Sequence, residues 1–128
     1  KAIGLVIPEL EGKLNGMATR VPVLNVSLLD LTFETERDFE IDELIDIITK
    51  ASQQELKGVM SICDLPLVSS DFNHNDSSCI FDTNHIYKIG NQTKILAWYD
   101  NEWGFSKRMV EIGLYIDQIT SISLKETA

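Results

Sequence analysis

Arg20 sits in the run GMATRVP, a guanidinium set between Ala18, Thr19, Val21 and Pro22. A cation among small and apolar neighbours loses hydration unless an anion replaces it. An internal carboxylate is the commoner partner; a phosphate held by the guanidinium fork is the alternative. A second concentration of chemistry runs from Trp98 to Ser106 in the string WYDNEWGFS. Aromatic rings, two acids and a carboxamide meet there where a strand hands over to a helix, and such strand ends are frequent sites of ligand contact. Asn101 offers a donor and an acceptor side by side, which suits recognition of another carboxamide. Aromatic packing at a helix start accounts for the same residues without a ligand.

His74 lies between Asp71 and Asp76 in SSDFNHNDSS, as a base with an orienting carboxylate would. The stretch also reads as a polar surface loop. His85 has no comparable company and reads as structural or exposed. Cys63 and Cys79 are sixteen positions apart with no CxxC spacing, and read as small buried hydrophobes in a reducing cytosol, a disulfide or metal pair being the alternative. No GxSxG, Walker A, HExxH or GxGxxG pattern occurs, so nucleophile-elbow, nucleotide-loop and zinc-helix chemistry have no support, and no metal site is expected.

The elements that must position these residues follow from period and punctuation. Ala2, Leu5 and Val6 share a helical face, and Pro8 ends that turn or opens a second short one. Asn15-Gly16 signals a turn into a short strand, MATRVPV, that carries Arg20 and is stopped by Pro22. Residues 23–33 read as a long strand with Leu24, Val26 and Leu28 on one face and Leu29, Leu31 and Phe33 on the other. Residues 94–100 repeat the pattern, with Ile95, Ala97 and Tyr99 opposing Leu96 and Trp98. Apolar residues on both faces predict that both are covered, one by helices and one by a second subunit.

Residues 34–46 hold seven acids in thirteen positions. They read as a solvated loop leading into a negatively charged first helical turn, without the spacing of a calcium loop. The helix over 42–53 carries the stripe Ile41, Leu44, Ile45 and Ile48. Short strands are expected over 58–62, 67–69, 78–82 and 85–88, with Gly90-Asn91 turning the last into 94–100. A helix over 106–119 follows, with Met109, Ile112 and Ile116 on one side, then a loose polar tail over 120–128. The sum is one α+β domain: a mainly antiparallel mixed sheet with helices packed on one face.

A length of 128 residues suits one domain, and 44% hydrophobic with 24% charged residues excludes collagen-like, low-complexity and largely disordered classes. Twenty acidic residues against eleven basic ones give a net charge of −9. Nucleic acid and anionic membranes call for the opposite sign, so neither is an expected partner. No apolar run approaches the roughly 18 residues that a membrane span needs.

Four stretches carry a resemblance. KAIGLVIPELEGKLNGMATRVPV, LKGVM, PLVSSDFNHN and WYDNEWGFSKRM are similar, in order, to the C-terminal part of the phosphorylating glyceraldehyde-3-phosphate dehydrogenases, from Lys1 to about Tyr115. The resemblance implies that Arg20 binds inorganic phosphate or the substrate phosphate. It implies that Asn101 hydrogen-bonds the nicotinamide carboxamide of NAD, with Glu102 at most in support. Phe105 stands where many members have a tyrosine packed near the nicotinamide, so the ring is kept and the hydroxyl is absent. No catalytic residue is expected in this chain. Neither cysteine matches the family's nucleophile, neither histidine matches its base, and both belong with the NAD-binding domain to segments upstream in the family.

Residues 1–128 are therefore expected to form the C-terminal part of a catalytic domain, inactive in isolation. The parent implied is a cytoplasmic, glycolytic, NAD-dependent enzyme. A cysteine thiolate attacks glyceraldehyde 3-phosphate, hydride passes to NAD, and phosphate releases the thioester. The family assembles as homotetramers through this domain's sheet. Alternatives are a fragment of the closely similar erythrose-4-phosphate dehydrogenase, or a free-standing, non-catalytic association domain.

Overall fold

The aliphatic runs form the ladders of one four-stranded sheet. The computed structural model describes residues 3–126, with side chains as far as 122. β1 (Ser27–Glu34) pairs antiparallel with β4 (Gln92–Tyr99), β4 antiparallel with β3 (Cys79–Ile89), and β3 parallel with β2 (Met60–Cys63), in the order β1-β4-β3-β2. This is the mainly antiparallel mixed sheet expected. The β3–β4 hairpin turns at Gly90-Asn91, where Gly90 adopts φ +57°, a conformation that suits a residue without Cβ.

Register sets the two faces. Leu28, Trp98 and Ile80 are paired across the strands on one side, and Leu29, Ala97 and Phe81 on the other. On the first side Val26, Cys63, Phe72 and Ile80 form a buried cluster flanked by Leu67 and Trp98. The rings of Phe72 and Trp98 stack there at 5.4 Å. On the second side Phe81 and Ala97 are buried. α2 (Ile41–Gln53) lies against β2 and β3, with Ile41, Leu44, Ile45 and Ile48 half-buried as the stripe required. Both faces of β1 stay nearly half open, with Leu28 at 43% and Leu29 at 45% exposure.

Several elements depart from expectation. α1 (Ile3–Val6) is followed by a 3-10 turn at Pro8–Leu10, as the proline implied; Ala2, placed on the same face, lies outside the described residues. No strand forms over 17–23, because nothing pairs with it and Pro22 removes a donor. β1 begins at Ser27 rather than at 23, because Val26 takes φ +71° and breaks the extended chain. Leu24 is consequently exposed and not on a strand face. The expected strand over 67–69 gives way to a 3-10 turn, Ser69–Phe72, where the Asp71 carboxylate accepts the Val68 N–H at 2.8 Å and Phe72 drops into the core. The strands expected over 78–82 and 85–88 are one strand, β3, with a register shift between Asp82 and Tyr87.

α3 (Asn101–Glu126) starts five residues earlier than expected and continues over 120–126 of the tail expected to be loose, the rest of which lies outside the described residues. Asp100 caps its start, and no proline interrupts residues 114–126. Gly104 is buried and Lys107 and Arg108 half-buried, and Arg108 Nη1 donates to the Gly58 carbonyl at 2.8 Å. From Met109 to Ile122 every side chain is exposed. The stripe Met109, Ile112 and Ile116 exists but is exposed, and α2 is the helix that packs on β2 and β3.

Candidate functional site

The junction of β4 and α3 is organised by Asp100, which is 2% exposed. Its Oδ1 accepts the Trp103 N–H at 3.0 Å, the bond of a helix N-cap. Its Oδ2 accepts Asn25 Nδ2 and the His74 N–H, each at 2.9 Å. Burial alone would raise this carboxyl's pKa; the bonds from Trp103, His74 and Asn25 outweigh it and hold the group below the ordinary carboxylate value. Asn101 and Glu102, the next two residues, are exposed. Phe105, one turn beyond Asn101, is 65% exposed. The chain thus turns one acid inward as a structural anchor and leaves a carboxamide and an aromatic ring open beside it.

Trp103 packs against the His74 ring at 4.4 Å and donates its Nε1–H to Asp76 Oδ1 at 2.6 Å. Asn25, His74, Asp100, Glu102, Trp103 and Ser106 line an open cleft of about 150 Å³. His74, at φ +59°, enters the site through its backbone, and its ring packs at a tilt against Trp103 rather than bonding to a carboxylate. Asp71 is turned to cap the preceding 3-10 turn and Asp76 is taken by Trp103. The flanked-base geometry that the sequence suggested is therefore not assembled.

Arg20 lies in an irregular stretch and is exposed. No carboxylate forms an ion pair with it among the described residues, so the internal-partner alternative is not realised and the fork is open to an anion from outside. Five residues later Asn25 bonds both Asp100 and Asn73 Oδ1, the latter at 2.6 Å, which ties this stretch to the helix start.

His85 has more company than its sequence neighbours suggested. Its Nδ1 lies 2.9 Å from Oδ2 of Asp82, a carboxylate 1% exposed that also accepts Trp98 Nε1–H at 3.0 Å and the Asn84 N–H. In a regular strand residues three apart face opposite ways; the register shift in β3 brings these two together. Sequence reasoning also passed over Asn25 and Asp100. An acid directly before a helix was the available signal for Asp100, hidden by setting the helix start at Ser106.

A family described as "Glyceraldehyde 3-phosphate dehydrogenase, C-terminal domain" matches residues 1–101. The chain is 53% identical over 114 residues to a Pseudomonas aeruginosa protein named glyceraldehyde-3-phosphate dehydrogenase, covering 89% of this chain and 34% of that protein. A chromosomally encoded Cupriavidus necator protein of the same name is 50% identical over 110 residues, covering 86% and 33%. A Neurospora crassa protein of that name is 45% identical over 120 residues, covering 93% and 36%. The chain spans about a third of the length of these curated relatives.

Proposed function

The chain belongs to the family of glyceraldehyde 3-phosphate dehydrogenase C-terminal domains, and from that premise we propose that it is the C-terminal part of the catalytic domain of an NAD-dependent, phosphorylating aldehyde dehydrogenase. The observation that carries the reading is the division of labour at the β4–α3 junction, with Asp100 buried and bonded while Asn101 and Phe105 stay open. An exposed carboxamide with an exposed ring one turn away fits a nicotinamide, which offers a carboxamide edge and a flat face. NAD, when bound, supplies hydride acceptance.

Asn101 would fix the rotation of the nicotinamide by pairing with its carboxamide, and Phe105 would pack nearby. Arg20, open to solvent, would hold the phosphate of glyceraldehyde 3-phosphate or inorganic phosphate in its fork. The nucleophile, the base and most of the cofactor site would come from the rest of the parent polypeptide. We further propose a glycolytic, cytoplasmic enzyme, in keeping with the unpaired Cys63 and Cys79, and a homotetramer formed through the sheet, in keeping with the open faces of β1.

The test is steady-state kinetics of the full-length protein. Arg20→Ala should raise the KM for phosphate or for the aldehyde phosphate by about a hundredfold, the loss of a charge-assisted contact. Asn101→Ala should raise the KM for NAD by about tenfold and loosen which face of the ring receives a deuterium label. Faster turnover of erythrose 4-phosphate than of glyceraldehyde 3-phosphate would move the assignment to that related enzyme. No oxidation of either aldehyde would sink the reading.

A further inference from the structure

We infer that Asn25 and Asp100 form a positioning bridge that sets Arg20 and Asn101 relative to each other. The inference rests on the roles proposed above for those two residues. One carboxylate ties three segments together: Oδ2 accepts Asn25 Nδ2 and the His74 N–H, both at 2.9 Å, while Oδ1 accepts the Trp103 N–H at 3.0 Å. Asn25 has a second anchor in Asn73 Oδ1 at 2.6 Å.

The tether from Arg20 to Asn25 is short and stiff. Pro22 fixes its own φ, and the Val23 N–H closes onto the Val21 carbonyl at 2.9 Å. Beyond Asn25, Val26 is 7% exposed at φ +71°. A β-branched residue is strained in the left-handed region and persists there only when its surroundings over-determine it. Here the surroundings are the bonds of Asn25 on one side and the cluster of Cys63, Phe72 and Ile80 on the other. On the helix side Asn101 is covalently joined to Asp100, so a displaced Asp100 carries the carboxamide with it. Small displacements of groups that orient reactants have large kinetic consequences.

The bridge is tested in the full-length enzyme with Asp100→Asn. That variant keeps its size and an oxygen for the Trp103 N–H, but turns an amide N–H₂ toward the donors of Asn25 and His74. The KM values for phosphate and for NAD should rise together by about tenfold, with kcat changed by less than about twofold, since the lost bond acts on binding geometry. Adding Asn25→Asp exchanges donor and acceptor across that one bond, leaving the His74 N–H unmet, and should recover part of the rise in both KM values. In an Arg20→Ala background Asp100→Asn should leave the phosphate KM where Arg20→Ala alone puts it.

A fall in kcat with both KM values unchanged would make the bridge a structural strut and overturn the inference. So would an equal rise in phosphate KM with and without Arg20. If Arg20→Ala raises that KM and Asp100→Asn does not, the bridge alone fails. If Arg20→Ala has no effect, the functional reading fails and takes the bridge with it. Should Asp100→Asn not fold, Asn25→Ala carries the same comparison with the helix cap left intact.

Discussion

Asp82 is ionised in a buried setting because every donor around it points at its two oxygens: Trp98 Nε1–H, the Asn84 N–H and His85. An ionised carboxylate only accepts, so the His85 proton sits on Nδ1. Burial pushes this carboxyl's pKa up, and the bonds from Trp98, His85 and Asn84 bring it below the ordinary value. Asp100 is held low by the same balance. A carboxyl whose pKa is lower folded than unfolded adds stability above its unfolded value, and that stability is lost as pH falls through the folded value. The intact protein should therefore lose stability below pH ~4. Asp82→Asn should cost about 2 kcal/mol at neutral pH and flatten that acid limb, measured by urea unfolding at stepped pH. An acid limb unchanged in the variant would assign the loss to other carboxyls.

The elements show which signals a sequence carries and which it does not. α2, the β3–β4 hairpin and the existence of the two aliphatic strands were legible, because a stripe at helical spacing and a Gly-Asn turn act locally. The start of β1 was not, since the left-handed Val26 answers to contacts at residues 63, 72 and 80 rather than to its neighbours in the chain. Arg20 and Asn101 were found through their motifs, whereas Asn25 was invisible because its partners are 48 and 75 residues away. Gly104 shows the same non-locality. A Cβ there would stand 3.2 Å from the Ser77 carbonyl oxygen, where α3 crosses the loop before β3. Gly104→Ala should destabilise by about 1–2 kcal/mol as the helix is pushed off that loop, read as a lowered Tm of the intact protein. An unchanged Tm would mean that the loop yields freely.

For the molecule as a whole, the apolar surface left open decides behaviour in solution. Leu28 and Leu29 on β1, and Val110, Leu114 and Ile119 on α3, are exposed in the single chain. Large apolar side chains left open in this way favour association. The isolated 128-residue chain should sediment as oligomers or larger aggregates at micromolar concentration; a monodisperse monomer would show that these faces need no cover. α3 adds a mechanical consequence. Its 26 residues give a rod about 39 Å long, held at Gly104 and Arg108 near one end. The anchored part is about 12 Å and the overhang about 27 Å, so the helix is a lever with its fulcrum at Arg108 and Asn101 on its short arm. A rotation of about 10° at that fulcrum sweeps the free end through about 5 Å and moves Asn101, on the short arm, by about 2 Å.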